Sequence, residues 1–147
     1  MGGTYGAADN GYALFDYSSG ESGSLELGSA SSATLGDVLE PESPLMTGVA
    51  SFAAHQAYRN IHPVSAGAIV VARWGGDDGQ VPLVLRGTRG NRTLVELNFY
   101  PVSTARYSWS WTGDGAALLR NALKYSRCMP TVSKLACEPG TFAATGR

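Results

Sequence analysis

His55 and His62 are the two histidines of the chain, so a nucleophile, base and acid site would have to use one of them. Asp16, Asp37 and Ser103 have the residue types to complete it. The Gly-x-Ser-x-Gly elbow of many hydrolases is missing, because Gly20-Glu21-Ser22-Gly23 is one residue too short. A surface or core role is the simpler reading of both histidines. A metal centre needs three or four ligands at recognisable spacing, and the order of His55, His62, Cys128 and Cys137 fits no such pattern. Asp77-Asp78-Gly79 lacks the alternating acids of a calcium loop and suits a plain turn. The sequence therefore predicts no catalytic residue, no metal and no cofactor.

Other residues point away from catalysis. Cys128 and Cys137 are disulfide candidates. A bond between them would close a short loop and contribute roughly 2–3 kcal/mol by restricting the unfolded chain. The alternatives are partners outside this chain, or free thiols in a reducing cell. Asn91-Arg92-Thr93 is an N-glycosylation sequon, with Asn91 on an expected hairpin turn. Arg106 to Trp111 alternates polar and aromatic residues, so Tyr107, Trp109 and Trp111 would share one face of an extended segment. Such a face suits glycan stacking, an interface anchor, or a seal over one edge of the core. Arg73 and Trp74 stand just before a turn, where an aromatic packs under a loop.

The elements that position these residues are uneven along the chain. Residues 1–33 form a Gly/Ser-rich N-terminal segment, with candidate strands at 12–17 and at Leu25-Glu26-Leu27. Leu35 to Leu39 reads as a short helical turn stopped by Pro41, and Pro44 to Val49 as a turn into an extended segment. Ser51 to Asn60 suits a strand or a helix. Strands are expected near 68–74, 81–86 and 93–99, separated by Gly75-Gly76-Asp77-Asp78-Gly79 and Gly87-Thr88-Arg89-Gly90-Asn91. These make an antiparallel meander, with a bulge or a missing bond at Pro82. A helix is expected near 115–126, with Leu118, Leu119, Ala122 and Tyr125 on its apolar face and Thr112 or Asp114 at its cap. Residues 127–147 form a Cys-containing tail or the start of a next module.

Composition narrows the setting. The chain has 147 residues, one domain's worth, of which 44% are hydrophobic and 16% charged. The net charge of −1 leaves no basic footprint for nucleic acid, and no apolar run reaches membrane-spanning length. No charged n-region precedes an apolar stretch at the start, so no signal peptide is expected here. Either the protein is cytosolic or the sequence covers part of a longer precursor.

Four segments in order resemble the second half of class I glutamine-amidotransferase-like domains. They are Pro44 to Val49, Ile69 to Trp74 with Pro82-Leu83-Val84, Arg92 to Pro101, and Asp114 to Leu123. The resemblance covers residues 34–126 and implies an α/β core: a partial flavodoxin-like sheet with an antiparallel meander and a closing C-terminal helix. Catalytic members of that family carry a nucleophilic Cys in their first half and a His and a Glu after the last core strand. This chain has Phe99-Tyr100-Pro101-Val102-Ser103 at that point, and its cysteines follow the last helix. In the tail, Cys137-Glu138-Pro139-Gly140-Thr141-Phe142 is similar to the opening of ephrin-receptor-type Cys-rich repeats, which implies an extracellular or cell-surface setting.

The expected function is a non-catalytic structural or interaction module of a larger extracellular or cell-surface assembly. Its partners would be other protein modules or copies of itself, with disulfides and a glycan as covalent features. A carbohydrate-binding module using the aromatic platform is one alternative. A hydrolase with a nonstandard site around His55 or His62 is another.

Overall fold

A computed structural model describes residues 14–16, 24–26, 32–55, 58–76, 79–89, 92–99 and 111–127. In chain order these form β1 (Ser24–Glu26), β2 (Ser32–Val38), β3 (Phe52–His55), β4 (Tyr58–Asn60), β5 (Ile69–Trp74), β6 (Pro82–Arg89), β7 (Arg92–Leu97), β8 (Trp111–Gly113) and α1 (Gly115–Arg127). A short 3-10 turn spans Pro44–Met46. Six strands make an antiparallel half-barrel in the order β7-β6-β5-β2-β3-β8, and β1 pairs with β4 separately. The fold is therefore a mixture of helix and strand, with one C-terminal helix among the described residues.

The meander forms where turn chemistry separates β-branched runs. β5, β6 and β7 pair in sequence, with Arg89 opposite Arg92 at the tip of the second hairpin. The β5–β6 register is irregular between Ala72 and Arg73, and Arg73 lies opposite Pro82. That irregularity accommodates a residue with no N–H to give to the ladder. The Ser51 to Asn60 stretch resolves into β3 and β4.

Two expectations change. Leu35 to Val38 belongs to β2 and not to a helical turn. The segment is paired on both sides, by β3 and by β5, and those ladders outweigh local preference. Gly36 permits this arrangement, since a Cβ there would lie 2.5 Å from the Trp74 carbonyl oxygen. Leu39 and Glu40 continue the contact through N–H bonds to the Val71 carbonyl. The expected strand at 12–17 is, over residues 14–16, a single antiparallel bridge between Phe15 and Val64.

Both faces of the sheet carry apolar residues. Val84, Val95 and Val71 belong to the main core, while their sequence neighbours Leu85, Leu94 and Val70 belong to a second cluster. Period-2 alternation puts these sets on opposite faces. The main core contains Leu118 of α1, with Leu119, Ala122 and Tyr125 packed beside it, as the helical spacing predicts. Burying Leu118 alone contributes about 1.5–3 kcal/mol. Phe52 stacks at tilted angles on Trp74 and Phe99, with centroids 5.4 Å and 4.7 Å away. The second cluster is Leu14, Phe15 and Leu85, with Val64, Ala68, Val70 and Leu94 around them.

Two polar clamps close α1 onto this body. The Asn121 Nδ2 donates to the carbonyls of Leu45 and Thr47, at 3.0 and 2.8 Å. Asp114 stands just before the helix, and its main-chain carbonyl accepts from Leu118 N–H. Its Oδ2 accepts from the backbone N–H groups of Ala50 and Ser51, both at 2.9 Å. Those bonds from Ser51 and Ala50 hold the Asp114 carboxyl below its ordinary range.

Candidate functional site

The densest buried polar grouping among the described residues centres on Asn98, just past the end of β7. Its position follows from the meander: Asn98 N–H donates to the Leu83 carbonyl at 2.8 Å and extends the β6–β7 pairing. The side chain then points to β4. Asn98 Nδ2 donates to the carbonyls of Asn60 and Pro82, at 2.8 and 2.7 Å. Its Oδ1 accepts from Asn60 N–H. Its main-chain carbonyl accepts from the Trp74 indole N–H at 3.3 Å. Every donor of Asn98 is used, as a side chain only 5% exposed requires.

Around that node, Arg59 of β4 is buried, and its guanidinium carbon lies 5.8 Å from the centroid of the Trp74 ring. That distance suits a cation–π contact. The Asn60 side chain holds His62, with Oδ1 accepting from His62 N–H at 2.9 Å and lying 2.8 Å from its Nδ1. The arrangement fixes an imidazole and locks strands together.

A cleft of about 340 Å³ lies on the second face, lined by Leu14, Asp16, Ser65, Ala68, Thr88 and Leu94 among others. Asp16 reaches it because its N–H donates to the Pro63 carbonyl, and Ser65 N–H donates to the Leu14 carbonyl. Behind the cleft, Glu96 Oε2 accepts from Leu14 N–H at 2.8 Å. Burial pushes the Glu96 carboxyl above its ordinary value, and the Leu14 bond offsets only part of this. On the helix side, Arg86 forms a two-pronged pair with Glu40, at 2.7 and 2.8 Å. The Arg86 bond lowers the Glu40 carboxyl, and the Glu40 bond raises the Arg86 guanidinium.

The residues singled out from sequence fall in different places. Asp16 and His62 come to the same loop, since Asp16 bonds to Pro63, the neighbour of His62. His55 is on β3 opposite Ser32 of β2. Asp37 lies five residues further along β2, roughly 16 Å at the rise of a strand. Trp111 is half-buried and packs against the main core. Asn91, Ser103, Tyr107, Trp109, Cys128 and Cys137 lie outside the described residues. Sequence reading did not single out Arg59, Asn60, Glu96, Asn98 or Asn121 as site or clamp residues. The one local signal was a polar Asn98 between Leu97 and Phe99.

Among the described residues no group of three His, Cys, Asp or Glu side chains converges as a metal site, and no helix is long and apolar enough to cross a membrane. No protein-family model matches this chain, and neither a curated protein nor a solved structure matches it.

Proposed function

We propose that this chain is a non-catalytic structural or interaction module of a larger extracellular or cell-surface assembly. The observation that carries the reading is the use made of its buried amides. Asn98 bridges the carbonyls of Asn60 and Pro82, which come from separate segments, and Asn121 ties α1 to two carbonyls of the Leu45 to Thr47 turn. Groups of this kind rigidify a scaffold when fully satisfied. His62, the histidine whose side chain is described, is held by Asn60.

The amidotransferase-like reading of residues 34–126 rests on its four ordered sequence segments, and the same clamps hold those segments together in pairs. Asn121, in the closing-helix segment, binds the Leu45 to Thr47 turn, and Trp74 binds Asn98. Each contact joins two of the four segments that carry the resemblance. In this proposal the chain keeps the antiparallel meander and closing helix of that family without the parallel core of a flavodoxin-like sheet, since every strand pair among the described residues is antiparallel. Fold likeness does not bring the activity with it.

The test is turnover. Purified wild-type protein is assayed on a broad panel of ester, amide and glycoside substrates. The proposal expects no turnover above buffer. Hydrolysis that falls when His62→Ala or Asp16→Asn is introduced would replace it with the hydrolase reading.

A further inference from the structure

Leu14 and Phe15 are 5% and 2% exposed, so this short segment is as buried as the sheet beneath it. One antiparallel bridge, Phe15 to Val64, ties it to the loop after β4, made of two bonds: Ser65 N–H to the Leu14 carbonyl and Asp16 N–H to the Pro63 carbonyl. The bond from Leu14 N–H to Glu96 Oε2 ties it to β7 of the sheet itself. The Leu14 side chain sits over Gly87, where a Cβ would come within 2.8 Å of Leu14 Cδ2. Leu85, Val70 and Leu94 line the ground below.

We propose that Leu14–Asp16 is a releasable strap latched to the Glu96 carboxyl through the Leu14 N–H, with Leu14 seated over Gly87 in an apolar groove. The groove's occupant is the chain's own Leu14–Phe15 pair. With the strap closed, Glu96 is largely buried and is offered one backbone N–H. An ionised carboxylate loses more hydration there than that one bond returns, which is why its affinity for the proton rises on closure. Opening returns Glu96 to water and exposes Leu14 and Phe15. The sign follows: the strap's extra stability is present below the ordinary carboxylate range and is lost as pH rises through the raised value. The titratable or charged groups on the elements packed here are Asp16 on the strap, His62 on the loop it pairs with, and Arg92 four residues along β7, while burial and the Leu14 bond are what act on Glu96.

Amide hydrogen exchange followed by NMR tests this, with the Trp74 amide, which donates to the Val81 carbonyl at 2.9 Å, as the reference for global opening. Between about pH 4.5 and about pH 8, the protection of the Leu14 and Ser65 amides is expected to fall at least about fivefold relative to Trp74. Glu96→Gln keeps an acceptor for Leu14 without a charge, so protection becomes high and flat with pH. Asp16→Asn, His62→Gln and Arg92→Gln keep the wild-type direction. Gly87→Val fills the seat of Leu14 and opens the strap at both pH values while Trp74 stays protected. Leu14 protection that is flat or rises with pH overturns the proposal. So does a fall shared equally by Trp74, or a Glu96→Gln profile that keeps the wild-type slope. The wild-type comparison of Leu14 with Trp74 decides the matter even where a variant fails to fold.

Discussion

The Asn98 side chain pairs with the backbone of Asn60 as a neighbouring strand would, accepting from its N–H and donating to its carbonyl. These residues are 38 positions apart in sequence, and this pair joins β4 to the end of the β6–β7 hairpin. One carboxamide thus supplies the bonds that a missing strand neighbour would have supplied.

Replacing it tests how much of the fold depends on the node. Asn98→Ala leaves the Asn60 N–H and the carbonyls of Asn60 and Pro82 without that partner. The expected loss is about 3–5 kcal/mol, since each stranded buried group costs about 1–3 kcal/mol and water recovers part of it. Asn98→Asp keeps the shape but turns an oxygen toward two carbonyls, and it should be at least as damaging above the carboxylate range. Urea denaturation, read as the shift in midpoint at constant slope, measures both.

Trp111 distinguishes a core seal from a glycan platform. Its indole packs against the main core and occupies the space beside Gly115, at the start of α1. Trp111→Ala should therefore cost about 2 kcal/mol, roughly half the loss typical of a fully buried tryptophan. The thermal midpoint reads this directly. An unchanged midpoint together with lost binding to an immobilised polysaccharide would favour the stacking role.

The Glu40–Arg86 pair predicts a weak, salt-sensitive contribution. The side chains are 30% and 29% exposed, so water screens much of the attraction. Glu40→Gln should cost under about 1 kcal/mol, and less in 1 M salt. The Glu40 carboxyl is lowered in the fold, so its contribution is present above the unfolded value and lost as pH falls through the folded one. A double-mutant cycle with Arg86→Gln, repeated at neutral and acid pH, isolates that term.

Local pattern carried the meander and α1, because alternating β-branched runs, Gly/Asp turns and a helical apolar stripe are short-range signals. The extended form of Leu35 to Val38 in β2 is not legible locally, because it depends on neighbours on both sides. Gly36 looks like a helix-weakening residue in sequence, while its role is to let the Trp74 carbonyl approach. The clamps were harder still. Nothing near Asn121 in sequence signals that Leu45 and Thr47 will offer it two carbonyls. His62 stood out by its chemistry, but its restraint by Asn60 depends on how the chain turns after β4. Asn98 and Arg59 work only once β4 reaches the end of the meander.

The extracellular module reading makes its sharpest statement about covalent state. Intact and peptide-level mass spectrometry on protein from its native source, before and after reduction, tests it most directly. The account predicts Cys128 and Cys137 in disulfides and a hexose-bearing mass on the Asn91 peptide. Two free thiols, an unmodified Asn91 and a mass equal to that of the bare 147-residue chain would contradict it.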